Sequence, residues 1–229
     1  MGIEPSRVGL IQPAIDATKF SAEEKVASLW RSYGVEQSFR LLYVGRVSVE
    51  KNLTMLVEIF RRLCSIRPDV ALIVVGDGPY RAEMQRELAK MPAYFLGMRE
   101  DRELVQLYQN ADLLLFPSRT DTLGQVVMEA QACGLPVLVS DEGGPREMMD
   151  DGVTGRGLAG NDAAAWVSAI DQLLDDEPLR LRMSRTAATR ALRFSLQRSF
   201  EQFWADHLAV VAPIESELQA EQMIRHAKL

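Results

Sequence analysis

The sequence predicts a doubly wound α/β fold built on a parallel sheet, and two observations predict it. Short apolar runs recur along the chain, each next to glycine or proline: Leu41-Leu42-Tyr43-Val44 before Gly45, Ala71-Leu72-Ile73-Val74-Val75 before Gly76, Leu113-Leu114-Leu115-Phe116 before Pro117, and Val137-Leu138-Val139 after Gly134-Leu135-Pro136. Runs that are apolar on both faces and rich in branched residues suit strands covered from both sides. Helix-length segments separate them, over 52–67, 79–91, 100–109 and 125–133. That alternation requires right-handed crossovers and places helices on both faces of the sheet.

The other elements follow from local signals. Val8-Gly9-Leu10-Ile11 reads as a further strand, and Ser21 opens a helix by its capping-box spacing to Glu24. The segment Phe95-Leu96-Gly97-Met98 ends another strand. After the last apolar run, 161–177 and 179–193 read as two helices separated by Pro178, and Ser195 to Val211 as a helix with an apolar stripe of Phe200, Phe203, Trp204 and Leu208. The expected organisation is one domain over 1–211 followed by an amphipathic tail over 212–229.

Composition narrows the function. With 47% hydrophobic and 25% charged residues in 229, the chain has ordinary globular proportions and is neither disordered nor low-complexity. A net charge of −6 argues against a general nucleic-acid binder, so any basic site must be local. Two cysteines, Cys64 and Cys133, and two histidines, His207 and His226, argue against a disulfide framework or a Cys/His metal site. No apolar run reaches membrane-spanning length and the N-terminus lacks a signal pattern, so a cytoplasmic protein is expected.

In an open parallel sheet ligands bind at the carboxyl ends of the strands, where helix N-termini favour anions. The first post-strand loop, Gly45-Arg46-Val47-Ser48-Val49-Glu50-Lys51-Asn52, offers two cations suited to a diphosphate, or else a turn with a surface Glu50/Lys51 pair. Gly76-Asp77-Gly78-Pro79 permits a close backbone approach or simply a tight turn before a helix. It is not a dinucleotide fingerprint, because Arg81 stands where the third glycine belongs. The loop from Pro117 to Gly134 carries Asp121, then Leu123-Gly124-Gln125-Val126 at a helix start, then Glu129 about one turn inside. Flanked by Val126, Val127 and Ala130, Glu129 needs a hydrogen-bonding partner, either a ligand or the loop itself. The loop Ser140 to Glu147 again places glycines, Gly143 and Gly144, before a helix.

Together these loops resemble the C-terminal, nucleotide-sugar-binding half of family-4 glycosyltransferases of the GT-B architecture, in which two Rossmann-like domains face each other. The family's Gly-Arg loop with a following Glu-Lys pair matches Gly45, Arg46, Glu50 and Lys51. Its Glu-x7-Glu motif followed by Ala-x-Ala-x-Gly and Pro matches Asp121 to Pro136, and its Gly-Gly-x-x-Glu element matches Gly143, Gly144 and Glu147. The resemblance covers about residues 3–210.

The resemblance implies that Arg46 and Lys51 hold the donor diphosphate and that amides near Gly124, Gln125 and Val126 bind a phosphate without a metal. It implies that Glu129 accepts hydrogen bonds from the ribose. It places base contacts around Gly76, Asp77, Gly97 and Met98, and counts Gly45 and Leu123 among the donor-binding residues. Asp121 stands where the family usually has glutamate, next to the transferred sugar; one methylene less shortens its reach by about 1.5 Å. The implied activity is a metal-independent, retaining hexosyl transfer from GDP-mannose or a UDP-sugar, with no cofactor, by front-face attack assisted by the donor phosphate. The acceptor, a glycan or lipid, is implied to sit on the family's N-terminal domain, which this sequence does not match, so the chain alone is expected to be inactive. Peripheral membrane association of a full enzyme is compatible with this reading. The alternative is a non-catalytic nucleotide-sugar-binding module. A metal-dependent GT-A transferase is disfavoured because no Asp-x-Asp triplet occurs, and an NAD enzyme because the fingerprint is missing.

Overall fold

The computed structural model describes residues 8–9, 13–26 and 28–209. Residues 15–193 form one compact unit, and 194–209 with the few described residues before Ile15 belong to a second.

The first unit contains six strands, β1 (Phe39–Val44), β2 (Val70–Val75), β3 (Ala93–Gly97), β4 (Leu113–Phe116), β5 (Val137–Ser140) and β6 (Gly155–Leu158). All pairings between them are parallel, and the order is β3-β2-β1-β4-β5-β6. The chain therefore winds outward one way from β1 to β3 and the other way from β4 to β6. This leaves a switch point between β1 and β4, which pair through Leu41 with Leu113 and Leu42 with Leu114. The four apolar runs are the four central strands. Every residue of β2 and β4 is buried, as their unbroken Val, Ile and Leu content requires.

The helices are α1 (Leu29–Ser32), α2 (Leu53–Cys64), α3 (Arg81–Glu87), α4 (Asp101–Asn110), α5 (Gln125–Ala132), α6 (Ala163–Asp175) and α7 (Glu177–Ala191). Helix α2 buries Leu53, Leu56, Val57, Ile59, Phe60 and Leu63, a stripe at helical spacing, and packs on α6 and α3. Helix α5 packs on α7 and α4.

Three expectations are corrected. Ser21 opens no helix: residues 21–26 are irregular, and the first helix begins at Leu29. Side chains at the end of α4 take over that strap's polar groups. Gln109 donates to the Ser21 carbonyl at 2.7 Å, and Asn110 accepts from the Val26 amide at 2.5 Å. Nor does Pro178 separate two helices. It lies in the first turn of α7, where a missing N–H costs nothing, and the break falls at Asp176, whose carboxylate accepts from the Leu179 amide at 2.8 Å. Helix α3 is shorter than expected, ending at Glu87. Strand β6 was not anticipated, because Gly-Arg-Gly-Leu at a sheet edge carries neither an apolar run nor an alternation. Of the proposed early strand, Leu10 and Ile11 lie outside the described residues, as does the 212–229 tail.

In the second unit residues 196–209 are helical. Phe200, Phe203, Trp204 and Leu208 are exposed on it, with Phe200 stacked on Trp204 and Trp204 on His207. Among the described residues no helix is long and apolar enough to cross a membrane.

Candidate functional site

The switch point brings the loop after β1 against the loop after β4. Gly45 leads out of β1, and the Val47 amide donates to the Asp77 carbonyl at 2.9 Å, joining this loop to the one after β2. A side chain at Gly76 would drive its Cβ into the Gly45 carbonyl oxygen, so this glycine serves a close approach. Beneath the loop Tyr43 is fully buried, stacked on Phe116, and its hydroxyl donates to the Arg46 carbonyl at 2.8 Å. Burial, reinforced by the negative charges of Asp121 and Glu50, pushes this phenol far above its ordinary range, so it stays protonated as a donor.

A short 3-10 turn over Val49–Lys51 then hands the chain to Asn52, which sits in the left-handed region at φ 57°, ψ 34°. Three consecutive residues bind the loop after β4, and the third also reaches the loop after β6. The Glu50 carbonyl accepts from Thr120 Oγ1 at 3.2 Å. Lys51 Nζ donates to Asp121 Oδ1 at 2.8 Å, with the two side chains 20% and 24% exposed. The Asn52 amide donates to the carbonyls of Pro117 at 3.2 Å and Gly160 at 2.8 Å. Asp121 Oδ2 is buried and has no hydrogen-bond partner among the described residues. The Arg46 guanidinium is instead exposed and lies 3.4 Å from Glu50.

Past Asp121 the loop enters α5 through Gly124, at φ 70°, with no side-chain cap. The amides of Val127 and Met128 reach the Gly124 carbonyl. Those of Gln125 and Val126 have no partner among the described residues. An uncapped helix start with free amides favours an anion. Glu129, 9% exposed, follows one turn later and is held by Tyr108, whose hydroxyl donates to Oε2 at 3.0 Å, and by Gln125, whose amide donates to Oε1 at 3.3 Å. Burial raises this carboxyl above its ordinary value, and those two hydrogen bonds together with the Lys19 charge oppose the rise.

Against this loop lies the turn 143–147. The Gly144 amide donates to the Asp121 carbonyl at 2.9 Å. Beside them a cleft of about 550 Å³ is lined by Arg119, Thr120, Asp121, Thr122, Asp141, Gly143, Gly144, Arg146 and Glu147.

Lys51 and Asp121 thus meet, and Asp121 shares its loop with Gly124, Gln125 and Val126. Gly45, Gly76 and Gly97 join strand ends, the Gly76 amide donating to the Gly97 carbonyl at 2.8 Å. The Asp77 carboxylate is occupied locally by the Gly78 amide and Arg81, which lower its pKa. Met98 and Leu123 are exposed. Sequence reasoning missed Tyr43, Asn52 and Tyr108. The first and last resemble core aromatics, and Asn52 resembles a helix cap although its side chain caps nothing. Among the described residues no group of three His, Cys, Asp or Glu is placed to hold a metal ion.

The family of glycosyl transferases group 1 matches residues 31–190, which spans the whole sheet and both loops of the switch point. The chain belongs to that family. This group 1 glycosyl transferase chain is similar to the D-inositol 3-phosphate glycosyltransferase of Stackebrandtia nassauensis, at 32% identity over 205 residues, covering 84% of this chain and 46% of that protein. It is also similar to the sulfoquinovosyl transferase SQD2 of Arabidopsis thaliana, at 33% identity over 159 residues, covering 68% of this chain and 30% of that protein. The chain spans about half the length, or less, of these curated relatives. Its fold matches that of Anabaena HepE, solved in complex with UDP, with a TM-score of 0.77 at 24% identity over 86% of this chain and 56% of that one. It also matches the C-terminal domain of a Francisella tularensis group 1 glycosyl transferase, with a TM-score of 0.72 at 17% identity over 80% of this chain and all of that one.

Proposed function

We propose that this chain binds the nucleotide-sugar donor of a retaining, metal-independent glycosyltransferase that moves a hexose from a UDP- or GDP-sugar to a glycan or lipid hydroxyl. The observation that carries the reading is the Lys51–Asp121 ion pair at the β1/β4 switch point, made by the same loop that leads into α5 through the Gln125 and Val126 amides, which are partnerless among the described residues. A cation and free helix amides suit the donor diphosphate, and Arg46, on the loop after β1, is free enough to swing onto it. As the bond between the anomeric carbon and the diphosphate oxygen breaks, Lys51 and the amides stabilise the charge growing on the leaving group. The acceptor oxygen bonds to that carbon, and its proton passes to the departing phosphate. Glu129 accepts from the ribose hydroxyls, and Asp121 from the sugar. Gly45, Gly76, Asp77, Gly97, Met98 and Leu123 complete the donor site.

Calorimetry with UDP and GDP in EDTA tests this. One of them binds, and Lys51→Ala weakens it roughly 10- to 100-fold, the value of a hydrogen bond to a charged group. Binding that requires a divalent ion, or that ignores Lys51→Ala, counts against the reading. The 229 residues alone transfer little sugar, because catalysis also requires an acceptor held in line; robust transfer by the purified chain would refute this part.

A further inference from the structure

We propose that Asp121 is an exchangeable counter-ion of Lys51, and that this exchange makes the site favour a nucleotide sugar over the nucleoside diphosphate left after transfer. The inference rests on the donor-site reading above. Lys51 Nζ and Asp121 Oδ1 are 2.8 Å apart, and less than a quarter of either side chain is exposed, so the pair is poorly screened. The other oxygen, Oδ2, is buried without a donor among the described residues. Asp121 is one of the residues that line the cleft, with Thr120, Thr122, Gly143 and Gly144.

A diphosphate that recruits Lys51 takes away the only side-chain donor Asp121 has among the described residues. Its phosphate oxygens are acceptors and return nothing, and they bring like charge towards a carboxylate that already has one unsatisfied oxygen. A sugar attached to the same diphosphate changes the balance, because its hydroxyls are donors. One hydroxyl on Oδ2 satisfies the orphaned acceptor, and another on Oδ1 replaces the departed ammonium. Asp121 thus penalises the product and not the donor, which speeds product release without a conformational change. A neutral residue at this position loses the distinction.

The experiment compares the chain with Asp121→Asn, using UDP, GDP, UDP-glucose and GDP-mannose as calorimetric probes and a melting curve for each protein. Asp121→Asn binds the preferred nucleoside diphosphate about ten-fold tighter, while its affinity for the matching nucleotide sugar is unchanged or weaker. If Asp121→Asn melts well below the parent, Asp121→Ala carries the same comparison. Diphosphate binding that is lost in Lys51→Ala but no tighter in either Asp121 variant overturns this inference and leaves the donor site standing. A parent chain that binds none of the four probes overturns both.

Discussion

The hydroxyl of Tyr108 lies 3.0 Å from Oε2 of Glu129, and both residues are buried, one on α4 and the other on α5. Tyr108 can act only as a donor to this carboxylate, since burial and the Glu129 charge push its phenol well above the ordinary value. Tyr108→Phe keeps the ring and removes the donor. The variant should lose about 1–3 kcal/mol of stability at neutral pH, the cost of orphaning a buried acceptor. The loss should shrink in acid, where Glu129 is protonated and needs no donor. Urea denaturation of both proteins across pH checks it, and a loss that is the same at every pH would mean that what the Tyr108 hydroxyl contributes does not depend on the Glu129 charge.

Glu129 also predicts how the parent protein responds to pH. The groups facing it are Tyr108 on α4, Cys133 at the end of its own helix, and Lys19 in the segment before β1. Its folded pKa is raised, so the native state holds that proton more tightly than the unfolded chain does. Its contribution to stability is complete below the unfolded value, near 4.5, and is lost as pH rises through the folded one. Glu129→Gln, which cannot ionise but still accepts from Tyr108, should flatten stability against pH above that value. If Glu129 also holds the ribose, the variant weakens nucleoside diphosphate binding; denaturation and calorimetry on the same protein separate the two roles.

Asn52 does two things that substitution can separate. It occupies the left-handed region, and its amide links the loops after β4 and β6. Asn52→Gly keeps the conformation and loses the amide; Asn52→Ala loses both, with about 1–2 kcal/mol more for an L side chain in that region. Melting should therefore rank parent above glycine above alanine. Both variants should weaken diphosphate binding, since Asn52 anchors the turn that presents Lys51. Equal melting of the two variants would mean that only the amide matters.

The cysteines give a labelling test. Burial pushes the Cys133 thiol up to about 12, with Glu129 adding to the rise, and pushes Cys64 up to about 11. Only the thiolate reacts, so both should resist iodoacetamide near pH 8, the half-buried Cys64 reacting before the buried Cys133. Mass spectrometry over a time course gives the order, and prompt labelling of Cys133 would contradict its burial.

The central sheet was legible in the sequence for a specific reason. Strands buried on both faces must be apolar throughout, and β1, β2, β4 and β5 each announce themselves that way, whereas the edge strand β6 needs only its pairing to β5. The site was legible in part. Glycines and charges after each strand mark the end where ligands bind, but Lys51 and Asp121 stand 70 residues apart, and their ion pair follows only from the adjacency of β1 and β4. Burial likewise decides what Tyr43 and Tyr108 do. Each is an aromatic core residue by pattern, and becomes a site component through one hydroxyl.

Two glycines make the last prediction, because they are needed for different reasons. Gly152 has φ +72° and open space where a Cβ would project. Alanine there costs about 1–2 kcal/mol of backbone strain and touches no other residue. At Gly144 the φ is not positive, but a Cβ would be driven into the Thr122 carbonyl oxygen. That neighbour is backbone, which cannot rotate away, and it belongs to the segment whose Asp121 carbonyl accepts from the Gly144 amide at 2.9 Å. Gly144→Ala must therefore push the Asp121–Thr122 backbone aside, and the Asp121 carboxylate moves with it relative to Lys51. Gly152→Ala should lower the melting temperature and leave nucleoside diphosphate affinity alone. Gly144→Ala should change that affinity in addition to lowering the melting temperature. If the two variants lose stability equally and both bind as the parent does, the turn 143–147 does not position Asp121.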